Sequence, residues 1–60
     1  MPEEAPIARV LELRERVAHL LALAVRAREN GNIELSVDLT GMALALEDAA
    51  IAIENAARQE

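Results

Sequence analysis

Residues 35–56 read LSVDLTGMALALEDAAIAIENA, and this stretch decides how the chain folds. Its apolar residues recur at alternating spacings of four and three. That spacing is the a/d repeat of a helix that presents one stripe to a partner helix. The stripe consists of Leu35, Leu39, Met42, Leu46, Ala49, Ile53 and Ala56. The repeat predicts a helix over about residues 33–58.

Residues 33–40 also fit a second structure, a half-buried strand. Apolar side chains alternate with polar ones there, namely Ile33, Leu35, Val37 and Leu39. The heptad stripe nevertheless continues through Gly41 without a change of phase, and a lone strand would need partners from other chains. We therefore favour the helix and keep the strand as the alternative.

The first half of the chain predicts a second helix over about residues 6–29. Helix-forming residues dominate there, and Pro6 suits a first helical turn, where its missing N–H costs nothing. Residues 30–32, Asn-Gly-Asn, then break the pattern: Gly31 suits a left-handed helix end and Asn32 suits the cap of the next helix. The sequence thus predicts an all-α fold, with a single domain over residues 1–60 that forms an antiparallel two-helix hairpin.

The hairpin needs a core between its helices, and the heptad stripe supplies the candidates. In the first helix the apolar residues cover about half the circumference, more than one neighbouring helix can cover. The predicted intrachain core comprises Val17, Leu21, Leu35, Leu39, Met42, Leu46 and Ile53.

A second apolar stripe on the predicted second helix has no partner within the hairpin. It contains Ile33, Val37, Leu44 and Ile51. An unpartnered apolar stripe usually marks an interface, so Val37, Leu44 and Ile51 are predicted subunit contacts. Arg14 lies on the apolar side of the first helix. It is either an interface charge paired with a carboxylate such as Glu47, Glu54 or Asp48, or an arginine that reaches water over its stem.

Length and composition also favour association. A chain of 60 residues buries only roughly 60% of its unfolded surface, and this one has no cysteine for disulfides and no aromatic residue. The net charge of −5 disfavours nucleic acid and anionic membranes as partners. No basic leader or membrane-spanning segment is evident, which leaves the localisation unknown.

The sequence offers no catalytic or cofactor signature, so we expect no enzyme activity, no cofactor and no small-molecule substrate. Ser36 and Thr40 lack a base at useful spacing, and the acidic residues fit a solvated face. One alternative function uses His19 and Glu15 as two ligands of a metal shared between subunits. Otherwise His19 is simply an exposed histidine on the polar side of its helix.

The whole chain resembles de novo designed helical hairpins. The resemblance rests on the opening Pro2-Glu3-Glu4, the short Asn-Gly-Asn loop, the near-equal helices, and the acids and arginines that open and close them. It implies self-assembly without a substrate. We therefore expect a homo-oligomeric helical bundle. A dimeric four-helix bundle is the commonest arrangement, and a larger ring or cage is the alternative.

Overall fold

Two long helices form the molecule, which a computed structural model describes from residue 4 to residue 58. Helix α1 spans Glu4–Glu29 and helix α2 spans Ile33–Arg58, and the two pack side by side in opposite directions. The predicted all-α hairpin is confirmed, and residues 33–40 are helical rather than extended. Helix α1 begins at Glu4, earlier than predicted, and Pro6 still lies in its first turn, where proline is tolerated. The residues before the predicted helix, 1–5, lie partly outside the described residues.

The turn between the helices is a Schellman motif built around Gly31. The Gly31 N–H donates to the Arg28 carbonyl at 3.0 Å, and the Asn32 N–H donates to the Ala27 carbonyl at 2.8 Å. Gly31 has a φ of +83°, the left-handed conformation that glycine adopts without the steric cost of a Cβ. The predicted helix end at Gly31 is confirmed.

Asn32 both closes α1 and caps α2. Its side-chain Oδ1 accepts a hydrogen bond from the Leu35 N–H at 3.2 Å, and its carbonyl accepts one from the Ser36 N–H at 3.1 Å. The side-chain bond satisfies the Leu35 N–H, one of the groups that a helix start otherwise leaves without a partner, and the Ser36 bond is the first regular hydrogen bond of α2. One residue therefore serves two helix ends, which explains how a three-residue turn reverses the chain.

The contact between the helices is narrow and made largely of alanine. The buried residues are Val10, Leu13, Ala24, Ala27, Ala43 and Ala50. Within the described part of the chain no large side chain is fully buried. Leu46 and Ile53 pack partly buried against Val10, Leu13 and Ala50. The small alanine side chains bury little apolar surface, so this contact supplies a limited hydrophobic stabilisation.

The observed contact stripe on α2 differs from the predicted one. Leu39, Leu46 and Ile53 are partly buried, and so is Val17 of α1. The other positions of the stripe are filled by Ala43 and Ala50, only 1% and 0% exposed. The predicted core residues Leu21, Leu35 and Met42 instead lie outside the contact, at 42%, 45% and 50% exposure. Helix α2 is therefore rotated from the predicted orientation, so that small residues face α1.

Candidate self-association face

Large apolar side chains remain exposed on the hairpin, and they are concentrated on one side of it. Ten are exposed among the described residues, and eight of these share one face. We call these eight the apolar face: Ile7, Leu11, Leu21, Val25, Ile33, Val37, Leu44 and Ile51. The other two of the ten, Leu35 and Met42, lie on the opposite side of the described hairpin and form no comparable cluster.

Seven-residue spacing explains why these side chains share a side. Residues seven apart are two helical turns apart and so point in nearly the same direction. In α1, Ile7 and Leu21 lie seven residues before and after Arg14. In α2, Ile33 lies fourteen residues before Glu47. Because Arg14 contacts Glu47 across the helix pair, these two sets lie on the same side of the hairpin. The other five members of the apolar face lie on the neighbouring stripe of each helix, farther from the contact between α1 and α2.

A charged cluster lies within the apolar face and joins the two helices. The guanidinium Nη2 of Arg14 donates to Glu54 Oε1 at 2.8 Å, and Nη1 lies 3.5 Å from Glu47 Oε1. The side chains remain 36–43% exposed, so the pairs add at most about 1 kcal/mol to the stability of a single hairpin. The Glu47 oxygen is itself inaccessible to solvent and accepts no hydrogen bond within the described residues. The Arg14–Glu54 bond and the Arg14–Glu47 pair link the two helices on this side of the hairpin.

Two open grooves lie at the ends of the apolar face. The groove near the turn is bounded by Arg28 of α1 and by Ile33, Val37 and Leu44 of α2. The groove near the chain ends is lined by residues of both helices: Pro6, Ile7, Val10, Leu11, Arg14, Ile53, Glu54, Ala57 and Arg58. Both grooves are shallow and predominantly apolar, which suits side chains of a partner helix better than a small polar ligand.

The structure thus places the four predicted interface residues on one side of the hairpin. Val37 and Leu44 are 64% and 61% exposed, Ile51 is exposed, and Arg14 lies beside them in the charged cluster. Arg14 pairs with Glu47 and Glu54 of its own chain, two of the three carboxylates that the sequence suggested. Sequence reasoning missed the half of the face that α1 contributes. The signal that could have found it is the seven-residue spacing from Ile7 to Leu21 and from Leu11 to Val25.

The suggested metal ligands lie away from this face. Glu15 and His19 are exposed on α1. Among the described residues there is no group of three or more His, Cys, Asp or Glu side chains that could hold a metal ion. The zinc hypothesis therefore stays a prediction that needs ligands from another chain. A zinc-dependent rise in melting temperature that is lost in His19→Ala would support it.

Comparisons with known proteins find no matching family, no matching curated protein and no matching solved structure. Neither described helix is long and apolar enough to cross a membrane. The face itself is therefore the basis for a functional proposal.

Proposed function

We propose that this chain is a self-association module in which two hairpins pack through their apolar faces into a homodimeric four-helix bundle. The observation that carries the proposal is the concentration of eight exposed large hydrophobic side chains on one side of a 60-residue protein. Exposed apolar surface of this extent is unusual on soluble monomers and commonly marks an interaction surface.

The dimensions of the hairpin support the same proposal. Its radius of gyration is 14.0 Å, whereas a compact domain of this length has one of about 10 Å. Its accessible surface is 4789 Å², whereas a compact monomer of this mass exposes about 3,800 Å². Packing a second hairpin onto the apolar face would bury an area similar to the difference between these two accessible surfaces.

A second copy of this chain fits the area available. The Cα atoms extend over 45 × 16 Å in the two long directions, which gives the broad side a footprint of about 700 Å². A stable interface buries about 800 Å² per partner. The apolar face and its charged cluster carry both apolar groups and charges of both signs, so one copy can offer complementary groups to another.

A matched pair of substitutions tests this proposal. Leu44 lies in the apolar face and Met42 lies on the other side of the same helix, with similar exposures of 61% and 50%. Leu44→Glu would bury a carboxylate in the dimer, at a cost of several kcal/mol, and should weaken association by at least about 100-fold. Met42→Glu should leave the dimer intact because its side chain stays in water.

Light scattering coupled to size-exclusion chromatography gives the masses of both variants, and circular dichroism reports whether they remain helical. The proposal fails if Leu44→Glu stays helical at an unchanged dimer mass. It also fails if both variants dissociate equally, because the contact would then not be specific to the apolar face. A mass well above that of two chains for the unmodified protein would favour the ring or cage instead.

A further inference from the structure

We infer that the two hairpins of the dimer lie parallel, with their turns at the same end, so that α1 of each copy packs on α2 of the other. This inference rests on the proposed dimer and specifies its geometry. A face-to-face pair related by a two-fold axis has two options. An axis along the helices brings the turns together, and an axis across them places the turns at opposite ends.

The antiparallel hairpin sets which residues lie at the same level. Residues equally distant in sequence from Gly31, the centre of the turn, lie side by side in α1 and α2. Contacts within the hairpin agree, because Val10 and Leu13 pack with Ala50, close to the level this rule gives. Arg14 likewise lies level with Glu47. An axis along the helices preserves these levels in the partner.

Parallel hairpins match apolar residues to apolar residues at several levels of the apolar face, whereas Ile7 lies close to the level of Glu54 and Ile33 close to that of Arg28. Val25 and Val37 lie six residues either side of Gly31, and Leu11 and Ile51 lie twenty either side. Each residue would therefore face its counterpart on the partner's other helix. Small and large side chains also meet, because Ala18 and Leu44 both lie thirteen residues from the turn. Such pairing allows helices to interdigitate.

Hairpins with their turns at opposite ends bring unlike groups together. In that arrangement α2 packs antiparallel on α2 of the second copy, and the midpoints of the two helices lie at the same level. The turn-proximal half of its exposed stripe carries Ile33, Val37 and Leu44, whereas its terminal half carries the charged residues Glu47, Glu54 and Arg58 beside Ile51. Reversal therefore sets Val37 against Glu54 and Ile33 against Arg58. Sliding the hairpins to avoid these contacts would shorten the overlap and reduce the buried area.

The charged cluster favours the same choice. In parallel hairpins Arg14 faces Glu47 of the second copy, so opposite charges meet across the contact. With turns at opposite ends, α1 packs on α1 and α2 on α2, which brings the two copies of Arg14 toward each other and the two copies of Glu47 toward each other. Like charges placed together at an interface suppress the wrong pairing. Charge order along the helices thus selects the parallel pair.

A single introduced cysteine measures the geometry directly, since the sequence has none. Asn30→Cys places a spin label in the exposed turn. Parallel hairpins should bring the two turns to about the 10 Å spacing of packed helices, plus the reach of the labels. Opposite hairpins should separate them by nearly the 45 Å length of the molecule. Glu15→Cys, near the middle of α1, is the control because both arrangements give it similar distances.

The mass of the same labelled sample separates the two claims. A dimer with a short distance between turns supports the inference. A dimer with turns about 45 Å apart overturns the parallel geometry and leaves the proposed self-association standing. A folded monomer overturns the proposed self-association itself.

A charge exchange gives a second test. The triple variant Arg14→Glu, Glu47→Arg, Glu54→Arg keeps its pairing within one chain. The variant is mixed with an equal amount of the unmodified protein. Parallel pairing would set like charges against each other in a heterodimer. The heterodimer fraction measured by native mass spectrometry should therefore be well below the one-half expected from random pairing. Opposite pairing would set unlike charges together. Heterodimers at one-half or more would overturn the inference.

Discussion

Gly31 and Gly41 are the two glycines of the chain, and their backbone conformations differ in a way that sets the effect of replacing each. Gly31 has a positive φ at the end of α1. Gly41 lies within α2 with no left-handed φ, and a Cβ there would meet nothing within 4 Å. The described hairpin therefore leaves open space beside Gly41.

Gly31→Ala should destabilise the protein by about 1 kcal/mol, because alanine pays a steric cost in the left-handed conformation. Urea unfolding followed by circular dichroism measures this change. An unaltered midpoint would show that the turn does not depend on Gly31.

Gly41→Ala should change stability in the opposite direction. Alanine is favoured over glycine in a helix interior by about 1 kcal/mol, and the space beside Gly41 is open. The same urea titration serves as the measurement. A loss of stability at this position would indicate that a second chain approaches the Gly41 backbone in the assembly.

Asn32 offers a third residue-scale prediction. Asn32→Ala removes the side-chain acceptor of the Leu35 N–H and should cost about 1 kcal/mol. Asn32→Asp is the matched control, because aspartate caps a helix as well as asparagine does. Equal unfolding midpoints for the alanine and aspartate variants would contradict a capping role.

At the scale of the elements, the helices and their turn were predictable from the sequence, but the rotation of α2 was not. Local signals define the turn, since Gly31 and Asn32 each act within a few residues. The contact stripe of α2 is not defined by local signals. Leu39, Leu46 and Ile53 belong to two possible heptad stripes, one of which includes Met42 and the other Ala43. Hydrophobicity alone favours the larger Met42.

In the structure the stripe that contains Ala43 faces α1. Two kinds of contact between the helices accompany this orientation, and neither can be read from one helix alone. Alanine permits close packing against α1, and the same rotation brings Glu47 and Glu54 to Arg14. The exposed face was half predictable for the same reason. The α2 stripe was evident in sequence. The seven-residue spacing in α1 was also present in the sequence, but which part of the broad apolar side of α1 stays open depends on how the two helices pack.

Arg14→Ala tests the role of the charged cluster at this scale. The pairs are partly exposed, so a single hairpin should lose less than about 1 kcal/mol. In the dimer the same substitution leaves Glu47 and Glu54 facing apolar surface without a counter-charge. Dissociation should therefore increase more than unfolding of the hairpin. Sedimentation velocity measures dissociation, and an unchanged dissociation constant would place the cluster outside the interface.

At the scale of the whole molecule, the hairpin is an elongated body whose buried residues are mostly alanine, and ten large apolar side chains of its described part are exposed. Six residues of the described part are buried, and four of them are alanine. Two helices of this kind leave much of their apolar surface in water. A second hairpin would cover that surface, so folding and association should be linked.

That linkage predicts a melting temperature that rises with protein concentration, because dimer formation stabilises only the folded chains. Thermal unfolding by circular dichroism over a hundredfold range of concentration measures the shift. A melting temperature independent of concentration would indicate that the hairpin unfolds as a separate unit.

Sedimentation equilibrium of the unmodified chain over a wide range of concentration tests the self-association proposal most directly. The mass of one chain is 6.5 kDa, so the proposal predicts a limiting mass of about 13 kDa, that of two chains. A helical, cooperatively folded species that stays at 6.5 kDa at the highest concentration would contradict it.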